Sequence, residues 1–282
     1  MNVFSNSSIE YELIKNNVSY LSKIKDQSRA LCMTAVQINP KAILYMQAHY
    51  ADVYEEAVSQ CGDLLKEVKH QTEAICLAAV KNEGLALKYV QKQTEVICMA
   101  AVQNNGFAIK YVSEQTESIC MQAIASHPLT IQYIQNATQR MWESALSKDG
   151  MALQFLKNKT DDLIRLAICN NANAIQFVEM PSEQLCLETI KRKPHAIQYI
   201  ARPSEAVCKF AIKKNPNLLR HMLNPNTEVC FLALTQNPLL LKYLAQQSFD
   251  ICQYAVSKDA EALKFVRDLS FRQKIKDLLF TM

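Results

Sequence analysis

The sequence predicts an all-α protein, an α-solenoid of about eleven to twelve tandem 22-residue helix-turn-helix repeats. Three observations predict it: cysteines recur at steps of 22 residues, alanine and aliphatic residues recur in the same register, and every glycine and proline falls at one of two places in the repeat. Helices this short are marginal alone and become stable by stacking on their neighbours. We therefore expect each repeat to contact the next one along the chain.

The cysteine column sets the register. It contains Cys32, Cys76, Cys98, Cys120, Cys186, Cys208, Cys230 and Cys252, with Tyr54, Trp142 and Ile164 at the intervening steps. We number the repeats 1 to 11 from Cys32 to Cys252 and count positions within a repeat from this column. Only Cys61 and Cys169 fall out of phase.

The first helix of each repeat is predicted from a capping residue at position −4. Ten of eleven repeats have Ser, Thr or Asn there, and six of them continue with Asp or Glu, which favours a helix start. The helix runs about ten residues, as in TEAICLAAVKN. Position +3 is alanine in every repeat but one, where Thr189 stands, and position +4 is always Val, Ile or Leu. The short alanine side chain allows close approach between helices.

The second helix follows a Gly/Pro turn at position +8 and is about two turns long. All four glycines and five of the eight prolines occupy position +8, and the other three prolines occupy position −5. Helix interiors exclude both residues, whereas turns and first helical positions accept them. Position +11 is always Ile or Leu, and position +13 is Tyr or Phe in nine repeats.

One other architecture has a similar repeat length, the leucine-rich, β-containing solenoid. Its Asn ladder and LxxLxL signature are missing from this sequence. Repeat 2 departs most, with Tyr50 at the cap, Glu67 at the aromatic position and Cys61 before Gly62. We expect a distorted repeat there.

The predicted organisation is one elongated repeat domain over residues 1–282. It has a half-matching N-terminal cap repeat at 1–25, eleven repeats at 26–266 and a C-terminal capping helix at 267–282. The N-terminus lacks a signal-peptide pattern, and no apolar run approaches the about 18 residues that span a bilayer. We expect a cytoplasmic protein without membrane contact.

Catalytic and metal chemistry find little support in the sequence. The cysteines lack the clustered spacing of a zinc site, and neighbouring helices about 8–10 Å apart hold them too far apart for disulfides. Cysteine as a small buried hydrophobe is the favoured interpretation. The five histidines share no motif, and no phosphate-binding or hydrolase signature occurs. We predict no catalytic residues, no metal site and no cofactor.

Two columns of the second helix are candidate surfaces. Position +12 would form a polar ladder, either solvated or able to hold an acidic peptide or phosphate backbone; it contains Lys66, Lys88, Lys110, Gln132, Gln154, Gln176, Gln198, Arg220, Lys242 and Lys264. Position +9 is apolar in four consecutive repeats, at Leu85, Phe107, Leu129 and Met151. This apolar strip suits a partner helix or peptide if it points outward and is core if it points inward. The Tyr/Phe column at +13 has two interpretations, packing between repeats or stacking on nucleobases.

A basic patch is expected in residues 181–222, where eight Lys or Arg and three acids give a local net charge of +5. Lys191-Arg192 and Lys213-Lys214 occupy equivalent positions in adjacent repeats, so stacking brings them together, and Arg220 adds to the patch. The patch is a candidate functional surface, with a solubilising surface as the alternative.

Repeats 3 and 4 read EAICLAAVKNEGLALKYV and EVICMAAVQNNGFAIKYV. They resemble an uncharacterised repeat family, a domain of unknown function from giant DNA viruses of amoebae and some bacteria, with a Cys-x-x-Ala-Val, Gly-x-Ala-Leu-x-Tyr-Val pattern. The resemblance implies a helical repeat and a viral origin, and it implies no activity.

The leading functional hypothesis is a non-catalytic scaffold for protein–protein interaction. The alternative is a binder of RNA or another acidic ligand through the ladder and the basic patch. The sequence leaves the oligomeric state open.

Overall fold

The computed structural model describes residues 6–280 of the 282-residue chain, and it confirms the helical repeat. Thirteen α-helices occur in this part of the chain and no strand does, which excludes the β-containing solenoid for the described residues. The α-helices are α1 (Asn6–Asn16), α2 (Arg29–Ile38), α3 (Ala51–Gln60), α4 (Glu73–Asn82), α5 (Glu95–Asn104), α6 (Glu117–Ser126), α7 (Gln139–Lys148), α8 (Asp161–Asn170), α9 (Glu183–Arg192), α10 (Glu205–Lys214), α11 (Thr227–Gln236), α12 (Phe249–Lys258) and α13 (Leu269–Phe280).

The second helix of each repeat is a 3-10 helix of six residues. These segments are Val18–Lys23, Pro40–Tyr45, Gly62–Glu67, Gly84–Tyr89, Gly106–Tyr111, Pro128–Tyr133, Gly150–Phe155, Ala172–Phe177, Pro194–Tyr199, Pro216–His221, Pro238–Tyr243 and Ala260–Phe265. The position +8 residue is the first residue of the segment. The N–H of that residue has no partner inside the helix, so proline fits there without losing a hydrogen bond. Six residues at three per turn give two turns, the length expected from the sequence.

The predicted caps at position −4 are largely confirmed. Side-chain oxygens accept the N–H three residues on at Ser28, Thr72, Thr94, Thr116, Thr138, Ser182, Ser204, Asn226 and Ser248. Thr160 makes no such bond. The 3-10 segments have a cap column of their own at position +7, where Asn105, for example, accepts the N–H of Phe107 at 3.0 Å.

The distortion expected in repeat 2 is confined to its cap, where Tyr50 has ψ 108° and the other residues at position −4 have ψ between 152° and 166°. Its helices have the same lengths and places as those of its neighbours. Tyr50 makes no cap bond, but its hydroxyl donates to the Gln27 carbonyl at 2.9 Å, which joins it to the previous repeat instead.

The core lies between the two helices of each repeat and its neighbours. Positions +3 and +4 are buried in all eleven repeats, and so are the eight cysteines of the column. Thr189 is fully buried in the alanine column, and its hydroxyl donates to the Leu185 carbonyl at 2.7 Å, which satisfies the extra polar group.

Contacts divide the chain into two compact units, residues 1–155 and 156–282. Consecutive α-helices pack on one another in α1–α7 of the first unit and in α9–α13 of the second, and consecutive 3-10 helices pack on one another within each unit. Each unit therefore has an α face, the exposed side of its α-helices, and a 3-10 face, the exposed side of its 3-10 helices. The ends of the predicted cap repeat and capping helix, residues 1–5 and 281–282, lie outside the described residues.

Candidate binding surfaces

The apolar strip lies on the 3-10 face of the N-terminal unit. Leu85, Phe107, Leu129 and Met151 are all half-buried, so the strip is neither core nor fully exposed. Phe107 contacts the next repeat, with ring centroids 5.1 Å from His127 and 6.3 Å from Tyr133. At Phe107 the strip therefore continues from one repeat to the next.

The ladder at position +12 is exposed throughout. Lys88 and Lys110 extend over the rings of Tyr89 and Tyr111, with Nζ 4.6 and 4.7 Å from the ring centroids. Lys88 also pairs with Asp63 of the previous repeat at 3.5 Å. In Gln132 and Gln154 the amide instead donates to a carbonyl three residues back.

The Tyr/Phe column at +13 is not part of the core. Its nine aromatic side chains are half-buried or exposed, and Tyr133 and Tyr243 are the most exposed, at 38% and 42%. Packing between repeats therefore covers these rings only in part. Ladder lysines extend over the rings of Tyr89, Tyr111, Tyr243 and Phe265.

The basic patch is divided between the two faces. Lys191, Arg192, Lys213 and Lys214 lie in the last turns of α9 and α10, whereas Arg220 lies on the 3-10 helix Pro216–His221. Arg220 donates from Nε to Nε2 of His221 at 3.0 Å. It therefore belongs to the 3-10 face and not to the cluster at the helix ends.

Two cations of the patch already have structural partners. Arg192 donates from Nη2 to the Cys169 carbonyl at 2.8 Å, which caps the end of α8. Lys209 forms ion pairs with both Glu205 and Glu228. Lys191 and Lys213 are exposed and form no ion pair among the described residues.

An open groove of about 480 Å³ lies between α4 and α5 on the α face of the N-terminal unit. Leu77, Val96 and Met99 form its apolar floor, and Val96 is 60% exposed. Lys81 and Glu95 also line the groove, so it carries one positive and one negative charge and favours neither an acidic nor a basic partner.

Sequence reasoning missed a glutamine bridge at position −5. Gln71 donates to the Tyr89 carbonyl at 2.9 Å and accepts the N–H of Gln91 at 2.9 Å, so it joins the loop before α4 to the loop that follows the 3-10 helix Gly84–Tyr89. Gln27, Gln93, Gln115 and Gln247 do the same. The recurrence of Gln at −5 was a detectable signal, but Pro181, Pro203 and Pro225 interrupt the column.

Residues 72–116 match the family model described as "Domain of unknown function (DUF4116)". The matched segment runs from the cap of α4 to the cap of α6 and covers repeats 3 and 4. Together with the regular repeat, the match fits an uncharacterised repeat family. No curated protein and no solved structure matches the chain.

Neither a metal-ligand cluster nor a membrane-spanning helix is found in the described part of the chain. Residues 6–280 contain no group of three or more His, Cys, Asp or Glu side chains able to hold a metal ion. None of the described helices is long and apolar enough to cross a membrane.

Proposed function

We propose that the protein is a non-catalytic scaffold that binds a protein partner on the 3-10 face of the N-terminal unit. The observation that carries the proposal is the apolar strip, which four consecutive repeats hold in register and leave half-exposed. Beside it stand the charged ends of Lys88 and Lys110. This combination suits a segment with apolar side chains and flanking carboxylates.

The spacing of the strip favours an extended segment. Stacked helices lie about 8–10 Å apart, and three residues of polyproline II advance about 9 Å. Every third side chain of such a segment would meet the strip of the next repeat. The row of ladder side chains, Lys88, Lys110, Gln132 and Gln154, supplies donors to the same segment.

The test is affinity capture from the native cell followed by mass spectrometry, with and without nuclease. We expect a nuclease-resistant protein partner that the double variant Leu85→Glu/Met151→Glu loses. Asn173→Glu, at position +9 in the C-terminal unit, is the matched control and should retain it. Equal retention by both variants would contradict the proposal, provided their melting temperatures match that of the wild type.

A second candidate function is binding of RNA or another acidic ligand. The exposed lysines of the ladder and the basic residues of 181–222 favour it. Phosphate contacts release counterions, so the affinity would fall steeply with salt. A nuclease-sensitive capture with this salt dependence would favour this alternative over the scaffold.

The likeness of repeats 3 and 4 to repeats of giant DNA viruses supports a viral origin. In that case the partner would be a host factor, and the scaffold would act in the host cytoplasm. Capture from infected and uninfected host cells tests this part of the proposal.

A further inference from the structure

The α face of the C-terminal unit carries a row of aromatic side chains that packing leaves uncovered. Phe210, Phe231 and Tyr254 lie on the successive helices α10, α11 and α12, and all are half-buried. The rings of Phe231 and Tyr254 meet edge to face, with centroids 5.0 Å apart. The Tyr254 hydroxyl is hydrogen-bonded to the Thr235 hydroxyl at 2.7 Å, so this part of the row is held in place.

The register extends this row over α9–α12. The Phe231–Tyr254 contact joins position +1 of one repeat to position +2 of the next, as the Arg165–Glu188 ion pair also does. The same relation places Leu187 on α9 beside Phe210 on α10. Leu187 and Leu232 are also half-buried. The same relation places Lys209, which pairs with Glu205 and Glu228, beside Leu232, so the row consists of the apolar pairs Leu187–Phe210 and Phe231–Tyr254 with Leu232 and the Lys209 side chain between them.

Lysines border this row. The Thr235–Tyr254 bond joins position +5 to position +2 of the next helix. By the same relation, Lys191 lies beside Phe210, and Lys213 lies beside Leu232. Lys214 adds a further charge, with Nζ 5.7 Å from the Phe210 ring centroid.

The acids and the lysines of this face lie mainly at opposite ends of its helices. Glu183, Glu205, Glu228 and Asp250 are in the first turns of α9–α12, whereas Lys191, Lys213 and Lys214 are in the last turns of α9 and α10. Glu188 pairs with Arg165, and Glu205 and Glu228 share Lys209. Lys191, Lys213 and Lys214 form no ion pair among the described residues. The charge at the C-terminal ends of α9 and α10, where the lysines border the row, is therefore positive.

We propose that the α face of α9–α12 is a second binding surface, separate from the 3-10 face, and that it takes an acidic amphipathic helix. Three intervals of about 8–10 Å separate α9 from α12, and a helix of about 18 residues has the same length. Side chains seven residues apart on that helix lie about 10.5 Å apart, so one apolar stripe meets successive helices of the face. Its flanking carboxylates meet the lysines.

A nucleic acid fits this face less well. Stacking on bases needs rings with open, parallel faces, but Phe231 and Tyr254 meet edge to face and Lys214 stands near the Phe210 ring. The two leucines in the row offer no stacking surface.

The test uses fluorescence anisotropy with a labelled peptide of about 18 residues that has a leucine stripe and glutamates beside it. A scrambled peptide of the same composition lacks the stripe. We expect the full-length protein to bind the amphipathic peptide at least about tenfold more tightly than the scrambled one. Equal binding of the two peptides would overturn the proposal.

The decisive variant is Lys191→Glu/Lys213→Glu/Lys214→Glu, and Arg192 is left intact because it caps α8. We expect it to lose at least about tenfold in affinity for the acidic peptide and to bind a peptide with lysine in place of glutamate. Lys25→Glu/Lys92→Glu/Lys157→Glu makes the same charge change at exposed positions elsewhere and should bind as the wild type does. Unchanged binding by the first variant, or an equal loss in the second, would overturn the proposal.

Two other occupants would also reveal themselves. If a single-stranded oligonucleotide displaces the peptide and binds more tightly, the ligand of this surface is a nucleic acid and the proposal is wrong. If the protein self-associates in sedimentation and the decisive variant does not, the ligand of this surface is a second copy of the chain and the proposal is wrong. The Leu85→Glu/Met151→Glu variant should bind the peptide normally, so failure of the proposed function on the 3-10 face is distinguishable from failure here.

Discussion

The backbone N–H of Gly84 donates a hydrogen bond of 2.7 Å to Oδ1 of Asn104, one repeat further along the chain. The Asn104 amide also donates to the Lys81 carbonyl at 2.8 Å. A single side chain on α5 thus holds both the end of α4 and the start of the following 3-10 helix. Gly62 and Asn82 form the equivalent first bond at 2.9 Å.

Gly84→Ala should destabilise the protein because a Cβ there would lie 2.4 Å from the Ala101 carbonyl oxygen. The reason is close approach and not backbone conformation, since no described glycine has a positive φ. We expect a loss of about 1–3 kcal/mol in the free energy of unfolding by urea. Gly106→Ala should cost less, because the corresponding distance is 3.0 Å. Equal effects at the two positions would contradict this explanation.

Gln93→Ala should also destabilise the protein, by about 1–3 kcal/mol. Gln93 donates to the Tyr111 carbonyl at 2.8 Å and accepts the Ser113 N–H at 2.9 Å, so the change leaves both backbone groups without this partner. Urea unfolding measures the loss, and hydrogen exchange at Ser113 should accelerate. Gln91→Ala is the matched control, because the side chain of Gln91 is exposed; a similar loss there would rule out the bridge as the cause.

Thiol reactivity should follow burial. Cys169 is exposed and Cys61 is half-buried, whereas the eight cysteines of the column are buried. Burial raises the pKa of Cys32, Cys230 and Cys252 to about 11, which leaves little thiolate at neutral pH.

A disulfide reagent such as dithiobis-nitrobenzoate should therefore modify Cys169 in a fast phase, Cys61 more slowly and the column only on unfolding. Cys169→Ser should remove the fast phase. Its persistence in that variant would show that a column cysteine is accessible.

Stability should fall in mild acid because of His221. Its burial lowers the pKa, and the charges of Arg220 and His195 lower it further. Since the folded pKa is below the unfolded value of about 6.5, the neutral form stabilises the fold. This contribution is complete above about pH 6.5 and is lost as the pH falls through the folded pKa.

His221→Gln should reduce the loss of unfolding free energy between about pH 7.5 and pH 5.5. Urea titrations at the two values measure it. An identical loss in variant and wild type would assign the acid sensitivity to other groups.

The periodicity predicted the fold well because each position of the repeat is sampled eleven times, so one irregular residue does not obscure the pattern. The caps, the buried cysteine column and the alanine column could all be predicted from the sequence, because each depends on a residue type that recurs at one position. The 3-10 geometry of the second helix could not be predicted, because Ile or Leu at position +11 fits either an α-helix or a 3-10 helix. At Tyr50 the predicted distortion is limited to the backbone of the cap, and the bond of its hydroxyl to Gln27 could not be predicted from the repeat pattern.

The candidate surfaces were less predictable because sequence does not show which charges are already paired. Arg192 and Lys209 looked like free members of a basic patch, but they hold Cys169, Glu205 and Glu228. Arg220 looked adjacent to them and lies on the other face. The aromatic row over α10–α12 was missed because Phe210, Phe231 and Tyr254 occupy two different positions of the repeat and align only after stacking.

The glutamine bridge and the glycine–asparagine bond connect residues about one repeat apart and reach no further. Removing or duplicating a 22-residue stretch between repeats that carry the same residues at these positions would therefore give each such donor an equivalent acceptor in the new neighbour. Growth and contraction of the gene by such repeats would leave the chemistry of these junctions intact. The repeat number is thus open to evolutionary change, and the individual surface rows can diverge independently of it.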